Sequence, residues 1–130
     1  VVEAEHAALA RDIEDATLGD RDPMHALIEG GRAYFRSMQV PGRTRLLLID
    51  APAILTQDER EAMDDRHGGR TLREVLDLAL QQGLIKPLNL DDLAYILSGV
   101  YDRAAFAIDA GAAPEDVEAV IEAVILGLKA

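Results

Sequence analysis

Three histidines each follow a carboxylate by three residues: Glu3 and His6, Asp22 and His25, Asp64 and His67. On a helix that spacing turns both side chains to one face, and two such pairs with further glutamates can hold a di-metal centre in a helical bundle. The signal is weak here, because a chain with 24 aspartates and glutamates generates such pairs readily. Asp22, next to Pro23, is better explained as a helix cap, and Glu3 falls on the polar side of its helix. No metal ligand and no cofactor is therefore assigned. Ser98 lacks a histidine and an acid at a nucleophile's spacing, and Gly30-Gly31 and Gly68-Gly69 lack the flanking residues of a phosphate loop. With no cysteine, thiolate catalysis, disulfides and Cys-ligated zinc are excluded. The chain reads as a non-enzyme.

Those residues must be carried by helices. Val2, His6, Leu9, Ile13 and Ala16 recur at helical spacing, and the helix they define ends near Gly19. Asp22-Pro23 starts a second helix, whose inward face holds Met24, Leu27, Gly31, Tyr34, Phe35 and Met38. Gly30 and Gly31 inside it each cost about 1 kcal/mol relative to Ala. Either another backbone approaches closely there, or the helix is locally loose beside a cavity. After Val40-Pro41-Gly42, the run Arg43 to Ile49 has no second strand to pair with and is read as a short helix that Asp50, Ala51 and Pro52 end or kink. Thr56 with Glu59 forms a capping box for a helix running through Met63 and His67 toward Leu80. Gly68-Gly69 interrupts that helix and Thr71 with Glu74 offers a second box, and one bent helix is preferred to two. Gly83 stops it and Pro87 prevents resumption.

The last two helices are apolar over most of their surfaces. The first is capped by Asn89 and carries one apolar face through Leu93, Leu97, Tyr101 and Ala104, with Ile96, Gly99, Phe106 and Ala110 supplying a second. A helix apolar on two faces must be buried on two faces. After the hinge 111–114, with Pro114 as a first helical residue, Val117, Val120, Ile121, Val124 and Leu128 form the stripe of the other. A second copy of the chain is expected to cover part of this surface.

Length and charge bound the rest. At 130 residues the chain is one domain, 1–130, able to bury a core, and with 49% hydrophobic and 28% charged residues it is neither disordered nor membrane-like. No apolar run reaches the roughly 18 to 20 residues of a membrane span, so a soluble cytoplasmic protein is expected. A net charge of −11 repels a phosphate backbone, so this segment alone is a poor nucleic-acid binder. The chain begins at Val1, with no initiator Met and already in helical sequence, as either the remainder of a longer protein or a processed N-terminus would.

In this order, the stretches Arg45-Leu46-Leu47-Leu48-Ile49-Asp50-Ala51-Pro52-Ala53-Ile54-Leu55, Asp65-Arg66-His67, Gly83-Leu84-Ile85-Lys86-Pro87-Leu88, Leu93-Ala94 with Leu97-Ser98-Gly99-Val100, and Ile125-Leu126-Gly127-Leu128 resemble the C-terminal regulatory domain of TetR-family transcriptional regulators. The resemblance covers essentially the whole chain, and none of the stretches is a catalytic signature. It implies an all-α bundle of about six helices, the last two forming an intersubunit four-helix bundle in a homodimer. It also implies an effector-sensing and dimerisation domain of a repressor, bound by a small, largely apolar molecule, with DNA contacted only through an N-terminal helix-turn-helix domain absent from this chain.

The ligand site expected on that basis comprises Tyr34, Phe35 and Met38 on the second helix, Met63 and His67 near the glycine pair, and Tyr101 with Asp102. For the histidines a simply hydrogen-bonded imidazole is the commoner outcome. Asp102 and Arg103 interrupt an apolar helix and diverge by about 100°. Asp102 is assigned to the pocket edge and Arg103 to the dimer seam, against the alternative that both sit at a wet rim. The expected dimer interface adds Gly99, Phe106 and Ala110 from the first of the two helices, and Val117, Ile121, Val124 and Leu128 from the second. The competing readings are a helical metal-binding or enzymatic bundle and an interaction domain without a ligand.

Overall fold

The computed structural model describes the backbone of residues 2–66 and 68–130 and the side chains of residues 2–63 and 69–130. Among the described residues there is no β-strand, and the chain is all-α. In order it forms α1 (Val2–Thr17), α2 (Pro23–Met38), α3 (Arg43–Arg45), a π-helical turn (Leu46–Asp50), α4 (Ala51–Ile54), α5 (Gln57–Arg66), α6 (Gly68–Gln81), α7 (Leu90–Asp109) and α8 (Pro114–Leu126).

The helix ends follow local chemistry. Asp22 Oδ1 accepts from the Met24 amide at 3.0 Å, and Asn89 Oδ1 from the Asp92 amide at 3.0 Å. Thr56 and Glu59 close the reciprocal box, each accepting the other's amide at 3.1 Å. At Gly83, in the left-handed region with φ 69°, the Leu84 amide reaches back to Ala79 O at 3.0 Å and the Gly83 amide to Leu80 O at 3.1 Å. This paired C-terminal closure is the stop that the sequence predicts.

Two local points left open by the sequence are decided. Thr71 does not restart a helix: α6 already begins at Gly68, and the Thr71 hydroxyl instead donates to Glu14 Oε1 of α1 at 3.0 Å. Of the two outcomes left open at Asp50, Ala51 and Pro52, the helix does not end there but continues through a π turn into α4. The Pro52 ring crowds the carbonyl four residues earlier and it offers no amide, so the preceding turn widens and the Ala51 amide reaches Leu46 O five residues back. The junction at His67, which decides between one bent helix and two, lies outside the described residues.

α2 is the central element and packs against α1, α6, α7 and α8. The main core joins Leu27 and Phe35 of α2 to Leu76 of α6, Leu97 and Tyr101 of α7, and Ile125 of α8. A smaller cluster of Leu9, Met38, Leu47 and Ala105 lies under α1 and the π turn. α1 is also held by a buried cation. Arg43 donates from Nε to Glu5 Oε2 at 2.8 Å and from Nη1 to Ser37 O and Oγ, while Ser37 Oγ donates to Asp12 Oδ2 at 2.6 Å. At the other end of the fold, the Lys86 amide donates to Leu128 O and the Ala130 amide to Leu84 O, so the C-terminus is tied to the α6–α7 connection.

The two glycines inside α2 differ. A Cβ on Gly31 would lie 2.9 Å from Cε1 of the buried Tyr101 ring, whereas one on Gly30 would meet Thr17 and Ile13 at ordinary distances of 3.6 and 3.7 Å. Gly31→Ala should therefore destabilise by about 1–2 kcal/mol, because the ring must move. Gly30→Ala should be neutral or stabilising by up to about 1 kcal/mol, from helix propensity. Urea unfolding of the two variants tests this, and equal stabilities would contradict the close approach.

Candidate ligand-binding site

α7 buries Leu93, Leu97, Tyr101 and Ala104, so the next residue after Tyr101, Asp102, is turned about 100° from that face and lies beside α1 and α2. There the Tyr34 hydroxyl donates to Asp102 Oδ1 at 2.8 Å, and the Tyr101 hydroxyl donates to Leu27 O at 3.4 Å. Tyr34, Phe35 and Tyr101 pack together with ring centroids 5.5 to 6.1 Å apart, an arrangement suited to aromatic edges and faces.

Beside these rings α1, α2, α6 and α7 leave a cavity of about 80 Å³. Leu9 and Ile13 of α1, Leu27 of α2, and Leu72 and Val75 of α6 supply apolar walls, and Gly30 and Gly31 open space on the α2 side. Neither expectation for the glycine pair holds as stated: what approaches Gly31 is the Tyr101 ring and not a backbone, and α2 runs unbroken past both glycines, although the pair does border a cavity. Next to it lies a wider groove of about 470 Å³, reached past Leu9, Tyr34, Gly69, Ser98 and Asp102, which line both spaces. The larger volume falls within the range of small-molecule sites. Its rim carries Arg60, Glu61, Arg73 and Asp91, with Arg73 paired to Asp91.

The electrostatics centre on Asp102. Burial pushes its carboxyl above the usual carboxylate range, opposed by the Tyr34 hydrogen bond and by the positive charge of Arg60. Arg60 Nε is buried with no hydrogen-bond partner among the described residues. Burial drives the Tyr101 phenol far above its ordinary value, so it remains a neutral donor. His25, exposed at the start of α2, is bonded to Asp20 rather than to Asp22, and this bond raises its pKa. Among the described residues no three metal-ligating side chains converge.

Of the expected ligand residues, Tyr34, Tyr101 and Asp102 meet at the inner cavity and Met38 lines the groove. Phe35 is turned into the fully buried core with Leu76 and Ile125, and the half-buried Met63 lines neither space. His67 lies outside the described residues. The sequence reading omitted Leu9, Ile13, Leu72, Val75 and Arg60 from the site; the first two stand on the apolar stripe of α1, which was the signal available for them.

Of the expected interface residues, Gly99, Arg103, Ala110 and Val124 are exposed, whereas Ile121 is buried in the chain's own core and Val117 and Leu128 pack against it. Phe106 is half-buried and, with Gly99, borders the groove. The outward apolar surface of α7 and α8 is carried by Ile96 and Val120, each 62% exposed, with Val124. No helix among the described residues is long and apolar enough to cross a membrane.

The described residues form an all-helical domain with a cavity between α1, α2, α6 and α7 and a further apolar face left outside. The chain belongs to the family described as tetracyclin repressor-like, C-terminal domain, whose family model matches residues 24–129. Domains of this family belong to regulators rather than to enzymes. Among curated proteins none matches the chain.

Asp102 sets a pH prediction. A carboxyl whose folded pKa is raised contributes stability below its unfolded pKa and loses it as pH rises through the folded value. Asp102→Asn, which keeps an acceptor for Tyr34, should therefore raise the melting temperature at pH 7, with the gain over wild type shrinking as pH falls into the acidic range. Thermal unfolding of both proteins across pH is the measurement; a gain that grows on acidification would contradict the assignment.

Proposed function

We propose that this chain is the effector-sensing and dimerisation domain of a TetR-like transcriptional repressor, acting on a DNA-binding domain attached ahead of α1. The observation that carries this reading is the place of α1 in the cavity wall. Leu9, Ile13 and Thr17 face the inner space and His6 the groove, so the helix that would lead to the DNA-binding domain is itself a contact for whatever enters.

α1 is gripped on two sides. Arg43 holds Glu5 and Asp12, and Thr71 and Arg70 of α6 hold Glu14. A molecule between α1 and α6 works against these contacts. If it binds one placement of α1 more tightly than another, it shifts the population toward that placement by its differential affinity. In a two-fold dimer built on the outer face of α7 and α8, the spacing of two attached DNA-binding modules then changes and operator affinity falls. The effector fits a largely apolar description, and the cytoplasm is the compartment in which such a repressor meets DNA.

A panel of small apolar and amphiphilic compounds, read by thermal shift, tests the pocket. A compound at 100 times its dissociation constant adds about 2.7 kcal/mol of stability and should raise the melting temperature by several degrees. Val75→Phe, which fills the inner cavity, should keep the helical circular dichroism and abolish that shift. A panel without a single stabilising compound, or a shift that survives the filled cavity, would contradict the reading.

A further inference from the structure

The chemistry of the cavity wall restricts what the pocket accepts. Among the described side chains lining the inner space, the carboxylate of Asp102 is the one that carries a charge; the rest are apolar, glycine, or the hydroxyl-bearing Thr17, Tyr34, Thr71, Ser98 and Tyr101. A carboxylate has about four acceptor positions. Among the described residues the hydrogen bond it receives is the one from Tyr34. Arg60 acts on it through space but lines the outer groove, not the inner cavity. The Tyr34 hydrogen bond and the through-space charge of Arg60 offset only part of the cost of burying this carboxylate, and a cation placed in the cavity offsets more of it.

Three features favour that cation over a neutral or anionic group. The rings of Tyr34 and Tyr101 border the same space, and aromatic rings attract ammonium groups within about 6 Å of their centroids. Leu9, Ile13, Leu27, Leu72 and Val75 surround the carboxylate with apolar surface that a hydrocarbon body would cover. The whole chain carries a net charge of −11, which concentrates cations and disfavours anions.

Resting on the reading of this cavity, together with the groove it opens into, as the effector pocket, we infer that the effector is a lipophilic amine, its ammonium group paired with Asp102 beside the rings of Tyr34 and Tyr101 where the two spaces meet, and its apolar body against α1 and α6 and extending into the groove. Tyr34 then has a positioning role: its hydroxyl holds one carboxylate oxygen and leaves the other for the ligand. Arg60 marks the outer limit of the cationic site.

Isothermal titration with three probes of matched shape, 4-phenylbutylamine, 4-phenylbutan-1-ol and 4-phenylbutyrate, reads the preference directly. Wild type should bind the amine about tenfold or more tightly than the alcohol, with the carboxylate weakest, as expected for a charge-assisted hydrogen bond. In Asp102→Asn the amine should lose about tenfold or more while the alcohol changes by no more than about twofold. If the alcohol equals the amine, or the carboxylate binds best by engaging Arg60, the amine assignment is overturned; blockage of the tighter probe by Val75→Phe then shows that the pocket reading survives. If none of the three binds while other compounds in the panel do, the amine is again wrong and the pocket stands. If nothing binds at all, both fall together.

Discussion

The Tyr101 ring lies 2.9 Å from where a Cβ on residue 31 would sit, closer than a side chain there allows, and that close approach sets how near α7 lies to α2. Its hydroxyl, bonded to Leu27 O, locks the rotation of α7 as well as its distance. Everything around the helix follows from that phase. Leu93, Leu97 and Ala104 are carried inward with Tyr101, Asp102 arrives opposite the Tyr34 hydroxyl, and Ile96, Gly99 and Arg103 are left facing out. The cavity and the uncovered apolar face are two consequences of one packing decision, so a change that rotates α7 alters both.

The inner phase of α7 is readable from the sequence because apolar residues at three- and four-residue spacing leave little choice about which face is buried. Helix ends with a short-range mechanism are readable for a similar reason: the Thr56 and Glu59 box and the closure at Gly83 involve partners within a few residues. The cost of Gly30-Gly31 within a helix signals a spatial reason, but not that a ring from α7 approaches Gly31 alone. The cavity trio of Tyr34, Tyr101 and Asp102 could be expected because polar groups on otherwise apolar helices need partners.

What escapes the sequence depends on contacts between distant segments. The Arg43 anchor gathers Glu5, Asp12 and Ser37, with hydrogen bonds spanning 25 and 38 positions, and nothing near Arg43 announces them. Thr71 looks like a cap because Glu74 follows at the right spacing, yet Glu14 of α1 is there to take its hydroxyl. On α8 the apolar stripe is wider than one face, so spacing alone cannot say that Ile121 turns inward and Val120 outward. Phe35, one position from Tyr34, is rotated by about 100° into the core, where it meets Leu76 and Ile125 rather than the cavity.

The proposed function joins the two consequences of the α7 phase: a pocket whose wall includes α1, and an outer face of α7 and α8 that a second copy would cover. The outer face is the feature most open to direct measurement, since Val120 and Val124 point away from the core and charge placed there should leave the monomer fold intact. Sedimentation equilibrium of the chain at micromolar concentration, alongside the Val120→Asp, Val124→Asp double variant, is that measurement. A dimer for the wild type and a folded monomer for the variant is the predicted result. A wild-type monomer, or a dimer indifferent to the two aspartates, would contradict it.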